Sequence, residues 1–399
     1  MSLSKPVSYP FPWTPPLEIP EQWRHLRQQP ILEVCLPSGD TALLVTRCAD
    51  VKALFSDTRL SRNTARHPDS ARISANNQLF GDANIDSDPP RYLAERSVVT
   101  RAFTARRIES LRPKVWEIAN DLMDQLAAGP RPADLVSAYA FPLPIRVICH
   151  LLGVPTRDRD KFVGMVNGFM SITRLPAEEV ESCRTGLSTY LTELIEAKRD
   201  HPGEDLTSHL VRISDEDQNT LSAYQLRHWV QTLLIAGYVT TATQIGVSMA
   251  MLLHRPHIVK EIQADLSLVP SAVEELMRYQ VMGSSIGSLR YALEDIELSD
   301  GSVVPKGATV MLSVESNMDE SVFPDPYTID IRRKENNHLS FGSGIHYCAG
   351  AALARMELQV TYEGLLTRLP NLTLAVPGAQ LRRAEGGFIN GFTEVPVQW

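Results

Sequence analysis

The run Phe341-Gly342-Ser343-Gly344-Ile345-His346-Tyr347-Cys348-Ala349-Gly350 constrains this chain more than any other feature. Glycines at 342, 344 and 350 punctuate a short loop, and a helical pattern, Ala351-Ala352-Leu353-Ala354-Arg355-Met356-Glu357-Leu358, follows directly. Cys348 therefore stands where a glycine-rich loop enters a helix, and a backbone without Cβ can approach a neighbour closely. A helix start offers unpaired N–H groups and the positive end of a dipole, and both favour a thiolate over a thiol. A thiolate held this way is a good axial ligand for heme iron and pushes electron density toward O–O cleavage. The plainer alternative is a buried structural cysteine, the usual fate of a free thiol.

Composition sets outer limits. The 399 residues are 43% hydrophobic and 22% charged, with a net charge of −8, values that suit a globular chain with a large core. The acidic balance argues against bulk nucleic-acid binding. Cysteines at 35, 48, 149, 183 and 348 are widely spaced. They form no CxxC pair, so neither a zinc ribbon nor a redox dithiol is indicated, and their scatter suggests a reducing compartment. The N-terminus has no apolar leader and no membrane span, and its prolines predict an extended arm over 1–25. No linker, charge run or composition break divides the chain, so one domain over 1–399 is expected.

The pattern predicts a mainly α fold with a small β region. Ile31–Leu36 and Ala42–Thr46 flank Gly39-Asp40 and read as a hairpin. Helical periodicity runs from Arg91 to Leu126 with a break near Phe103-Thr104. A further helix ends at Gly153-Val154-Pro155, and others are expected over about 157–171, 178–199 and 205–213. Ser222 to Leu253 is long and apolar and should cross the core. Short strands are expected near 288–291, 295–298, 303–304 and 308–312.

Phe341-x-x-Gly344-x-His346-x-Cys348-x-Gly350 resembles the heme-binding loop of the cytochrome P450 family. The resemblance covers nearly the whole chain. It implies heme b on Cys348, with Phe341, Gly342 and Gly350 shaping the loop. Glu275-Leu276-Met277-Arg278 is similar to the family's ExxR motif, which braces the fold and does no chemistry. Glu275 and Arg278 share one helix face, although alone they read as a surface pair of little worth. Phe323-Pro324-Asp325-Pro326 resembles the turn that follows. Thr328 stands where many members have arginine, leaving Arg332 or Arg333 as the third bracing residue. Heme carboxylates need cationic or hydroxyl donors, and the resemblance points to Arg96, Arg290, His346 and Tyr92, the last in place of a histidine.

Ala236-Gly237-Tyr238-Val239-Thr240-Thr241 is similar to the family's Ala-Gly-x-acid-Thr-Thr, in which the acid relays protons and the first threonine works on the oxygen side of the heme. Thr240 keeps its place, whereas Val239 cannot carry a proton. Glycine followed by threonines can loosen a helix, making room for O2 and water. Two readings of Val239 stand: altered chemistry, with protons delivered through waters or the substrate's own groups or with a coupling or desaturating reaction that needs ordinary delivery less, or plain packing beside a water chain. Substrate contacts implied by the resemblance are Asn84, Met170, Ile235, Ile286, Phe388 and Ile389, with plain helix–helix core as the alternative for Met170 and its neighbours Met165 and Phe169. Such a pocket would take a medium-sized, partly polar molecule.

The expected function is O2-dependent hydroxylation, epoxidation or oxidative coupling of a small organic molecule in the cytoplasm, within bacterial natural-product biosynthesis. The C-terminal half is also somewhat similar to members that oxidise cyclic dipeptides. Electrons would come from ferredoxin and its reductase, with Arg101, Arg106, Arg107 and Arg355 as a docking patch or merely a solvated face. The substrate could arrive free or on a carrier protein. The rivals are a heme-thiolate sensor without turnover, a heme-free scaffold, and a peroxide-driven enzyme.

Overall fold

The computed structural model describes residues 6–20, 22–73, 88–279 and 289–399. They group into two compact units: Met1–Pro89 with Glu274–Cys348, and Pro90–Val273 with Ala349–Trp399. Each unit is assembled from two separate segments of the chain, so no linker composition marks the divisions.

The first unit is built on a six-stranded sheet in the order Val7–Ser8, Ile31–Cys35, Thr41–Val45, Thr309–Leu312, Leu289–Ala292, Leu60–Ser61. The hairpin forms as expected, with Ile31 opposite Val45 and Cys35 opposite Thr41. Alternate residues of Ile31–Cys35 are buried, as period-two patterning requires of a strand with one covered face. Val51, Leu54, Val304, Val310, Leu312 and Phe323 fill the core beneath. The N-terminal arm is not simply extended. Val7 pairs with Val34, Gln22–Leu26 is helical, and Tyr9, Phe11 and Trp23 are buried. Aromatic side chains between the prolines supply apolar area that the proline count conceals.

The second unit is helical. Thr104 accepts from the Arg107 N–H as the cap of Ala105–Glu109, which explains the break between Arg91–Thr100 and the helices that follow. Gly153, at φ 67°, ends Pro142–Leu152. Ala223–Leu253 is capped by a reciprocal pair, Ser222 Oγ with the Gln225 N–H and Gln225 Oε1 with the Ser222 N–H. It is apolar and long enough to cross a membrane, but 83% of its most apolar window is buried inside the protein, as in a core helix. It also runs unbroken through 236–241, so the loosening expected there does not occur. Gly237 instead admits a neighbouring helix: a Cβ there would lie 2.5 Å from Ile148 Cδ1. A three-stranded sheet of Thr373–Leu374, Pro396–Gln398 and Ala133–Asp134 completes this unit.

Candidate active site

In the first unit the cysteine loop is a compact turn. Cys348 donates its N–H to the Phe341 carbonyl at 2.9 Å, and Gly342 donates to Leu339 at 2.8 Å. Gly342 and Gly344 take φ of 69° and 67°, the left-handed region that glycine enters without Cβ strain. At Gly344 the need is also steric, since a Cβ would lie 2.5 Å from Ser56 Oγ and 2.9 Å from the Phe55 carbonyl oxygen. Gly350 differs: a Cβ there would meet no protein atom within 4 Å, and its φ of −86° is ordinary. Packing does not explain that glycine.

Cys348 is exposed, whereas Cys48 and Cys149 are buried. Burial pushes the Cys48 thiol up to about 11 and the Cys149 thiol up to about 12, which keeps both protonated. The reading of Cys348 as a buried structural cysteine therefore fails. His346 ends the short turn Gly344–His346 and is partly exposed. Arg290 is buried in Leu289–Ala292, opposite Val310, with its guanidinium 6.0 Å from the Phe55 ring.

The ExxR pair is no surface salt bridge. Glu275 and Arg278 are both fully buried and meet through two contacts of 2.8 Å. Arg333 is the third member, donating from Nε to Glu275 at 3.0 Å. Arg332 donates its backbone N–H to Asp330 at 2.9 Å. Glu275 also accepts from Asn336 at 3.1 Å and from the Asp330 N–H at 2.9 Å, while Arg278 reaches the carbonyls of Pro326 at 2.9 Å and Thr328 at 3.2 Å. Thr328, where an arginine was looked for, thus contributes only its backbone.

Sequence reasoning missed Asn317. It is fully buried, its carbonyl accepts from Arg278 at 3.2 Å, and its side chain accepts from the Leu339 N–H at 2.7 Å and donates to Ser340 at 2.9 Å. Asn317 thereby ties the bracing network to the start of the cysteine loop. An asparagine within Val314–Met318 is the only trace it leaves in the sequence.

In the second unit Tyr92 is buried and its phenol accepts from Arg96 one turn on. Tyr92 therefore orients Arg96. Their helix is anchored by buried Glu95, which accepts from Arg91 at 2.8 Å, from Trp229 at 3.2 Å and from Gln225. No motif in the sequence marks Glu95 for this role. On the long helix, Ala236 is exposed and Gly237 and Thr240 are partly exposed amid buried neighbours. The Thr240 hydroxyl donates to the Ala236 carbonyl at 2.8 Å.

Two of the expected substrate segments meet. Phe388 donates its N–H to Met170 at 3.0 Å, and Ser171 bridges Gly387. A cavity of about 90 Å³ opens there, with Met170, Arg174, Val239, Thr243, Ile389 and Phe392 in its walls. Val239 thus packs on a cavity wall. Ile235 is core and Phe388 contributes backbone bonding, neither lining that cavity. Asn84 and Ile286 lie outside the described residues.

These residues fit a heme. Among the described residues no three His, Cys, Asp or Glu side chains converge as a protein-built metal site. Within the first unit, the exposed Cys348 with Arg290 and His346 as donors suits a group that brings its own ring of iron ligands and takes one thiolate.

A family model described as Cytochrome P450 matches residues 165–373. The chain is 41% identical to mycinamicin IV hydroxylase/epoxidase of Micromonospora griseorubida over the full length of both. It is also 41% identical to nocardicin C N-oxygenase of Nocardia uniformis subsp. tsuyamanensis, over 98% of each. Among solved structures, a putative thioether synthase, SgvP, involved in the tailoring step of griseoviridin is similar at TM-score 0.94 and 38% identity, covering 99% of this chain and 100% of that one.

Proposed function

The chain belongs to the cytochrome P450 family and is a monooxygenase, and we propose that it tailors a small natural product in the bacterial cytoplasm, using heme b bound through Cys348. The observation that carries this reading is the exposed Cys348 thiol in a loop braced through Asn317 to the buried Glu275–Arg278–Arg333 network. When bound, the heme supplies activation of O2 with electrons from a redox partner.

The chain's residues have separate tasks. Cys348 binds as the thiolate. Arg96, Arg290 and His346 neutralise the heme carboxylates, and Tyr92 acts indirectly by holding Arg96. Thr240 presents a hydroxyl that can hand its bond from the Ala236 carbonyl to water or substrate. Val239 holds no proton, so proton delivery runs through water at Thr240 or through the substrate's own polar groups. A ferredoxin, itself served by a reductase, is the proposed electron donor. Exposed Arg101 and Arg106, with Arg107 and Arg355 partly exposed, give it basic docking points.

The relatives named for mycinamicin IV and nocardicin C favour a complex secondary metabolite. Delivery on a carrier protein and a cyclic-dipeptide substrate remain within this proposal. The test is a titration of purified ferric protein with mycinamicin IV, nocardicin C and cyclic dipeptides, followed by turnover of any binder with ferredoxin, reductase and NADPH. A high-spin Soret shift and an oxygenated product would support the reading. A heme-loaded protein that shifts but forms no product would favour a sensor, and a protein without a Soret band would overturn the heme assignment.

A further inference from the structure

Arg174 stands in the wall of the cavity that holds Met170, Val239 and Ile389. Its Nε donates to the Glu385 carbonyl and its Nη2 to Asn390 Oδ1 at 2.9 Å, both neutral acceptors. No carboxylate among the described residues pairs with it, and the residues lining the cavity include no Asp or Glu. Those bonds use two of the five N–H donors of a guanidinium. The side chain is exposed overall, yet its head group lies against the C-terminal turn. A Cβ at Gly387 would sit 2.7 Å from Nη2 and 2.8 Å from Cζ. Gly387 thus leaves a seat for the cation, and Asn390 fixes that seat by accepting from the Gly387 N–H at 3.1 Å and donating to its carbonyl at 2.9 Å. Partial desolvation holds the Arg174 pKa below the usual guanidinium value.

A cation that is oriented, partly desolvated and matched only with neutral acceptors favours an anion that arrives with the ligand. We propose that Arg174 is a specificity-determining residue that recognises a carboxylate on the substrate, so that acidic natural products are selected over their neutral counterparts. This rests on the heme-thiolate reading above. Arg174 pairs with the carboxylate through its remaining donors while Asn390 and Gly387 keep the guanidinium in place.

The test uses the full-length, heme-loaded ferric protein and two probe series of increasing chain length, ω-(imidazol-1-yl)alkanoic acids and the matching ω-(imidazol-1-yl)alkan-1-ols. Imidazole coordination shifts the Soret band to the red and reports Kd. At the best chain length the acid is expected to bind about tenfold more tightly than the alcohol. Arg174→Gln should abolish that preference and leave alcohol binding unchanged, whereas Arg174→Lys should retain part of it. Gly387→Ala keeps the charge but fills its seat, and should also reduce the preference. A role confined to latching the turn would weaken acid and alcohol alike. Equal affinities for acid and alcohol at every length, or a preference that survives Arg174→Gln, would overturn the inference. A protein that shows no red shift with either series would instead remove the heme reading beneath it.

Discussion

Arg333 donates from Nε to Glu275 across 3.0 Å and completes a buried network that Arg278 alone leaves open. Glu275 is fully buried, so its charge depends on these donors. Removing one side of a buried ion pair strands the other, at a cost of about 3–5 kcal/mol.

Glu275→Gln should therefore lower the stability of the protein by an amount of that order and reduce heme content per chain. Arg333→Leu keeps the Glu275–Arg278 pair and should cost less, about 1–2 kcal/mol. Denaturant unfolding together with the ratio of Soret to protein absorbance measures both. Equal losses in the two variants would contradict the hierarchy.

Gly342 and Gly344 share a left-handed backbone but differ in surroundings. Alanine at 342 meets the Phe55 ring at 3.6 Å and the His346 carbonyl oxygen at 4.0 Å, both ordinary contacts, so the cost is the left-handed strain, about 1–2 kcal/mol. Alanine at 344 adds overlap with the Phe55 carbonyl and Ser56. Gly344→Ala should melt at a clearly lower temperature than Gly342→Ala, and the comparison needs only thermal unfolding.

Glu95→Leu should leave the donors of Trp229 and Gln225 without their buried acceptor, costing about 1–3 kcal/mol. The helix bearing Tyr92 and Arg96 would lose its anchor, so heme should dissociate faster than from the wild type. Transfer of heme to apomyoglobin reports that rate.

Glu357 is buried, has no cationic partner among the described residues, and desolvation holds its carboxyl well above the ordinary 4.5. The folded chain then keeps this proton at pH values where the unfolded chain has released it. Stability is lost as pH rises from the unfolded value through the folded one. Glu357→Gln removes that loss, so its stability relative to the wild type should improve between about pH 5 and pH 8. Chemical denaturation at both pH values tests the sign, and a relative stability independent of pH would refute it.

Thr240 carries a hydroxyl at a partly exposed position of a largely buried helix. Thr240→Val should keep fold and substrate affinity but lower product formed per NADPH consumed, with turnover down by about a hundredfold. Parallel product and NADPH assays separate this from a loss of binding.

Local chemistry made part of this protein readable. Glycines around a cysteine, a capped apolar helix, and a hairpin with period-two burial are short-range signals, so the cysteine loop, Ala223–Leu253 and the Ile31–Cys35 strand could be read from the chain. The ExxR spacing was equally visible, but its burial was not, because full desolvation of Glu275 and Arg278 depends on what the rest of the unit packs over them. The place of Arg333 in the network was decided by the course of the backbone after Pro326, which brings its Nε to Glu275. Asn317, Glu95 and Arg174 gained their roles the same way. Each is an ordinary polar residue until folding removes water and supplies partners distant in sequence. Sequence by itself determined the elements and the reactive thiol, since these depend on neighbours a few positions away. Tertiary structure decided which charges are buried, paired or left for a ligand, because solvation is set by the whole packed chain.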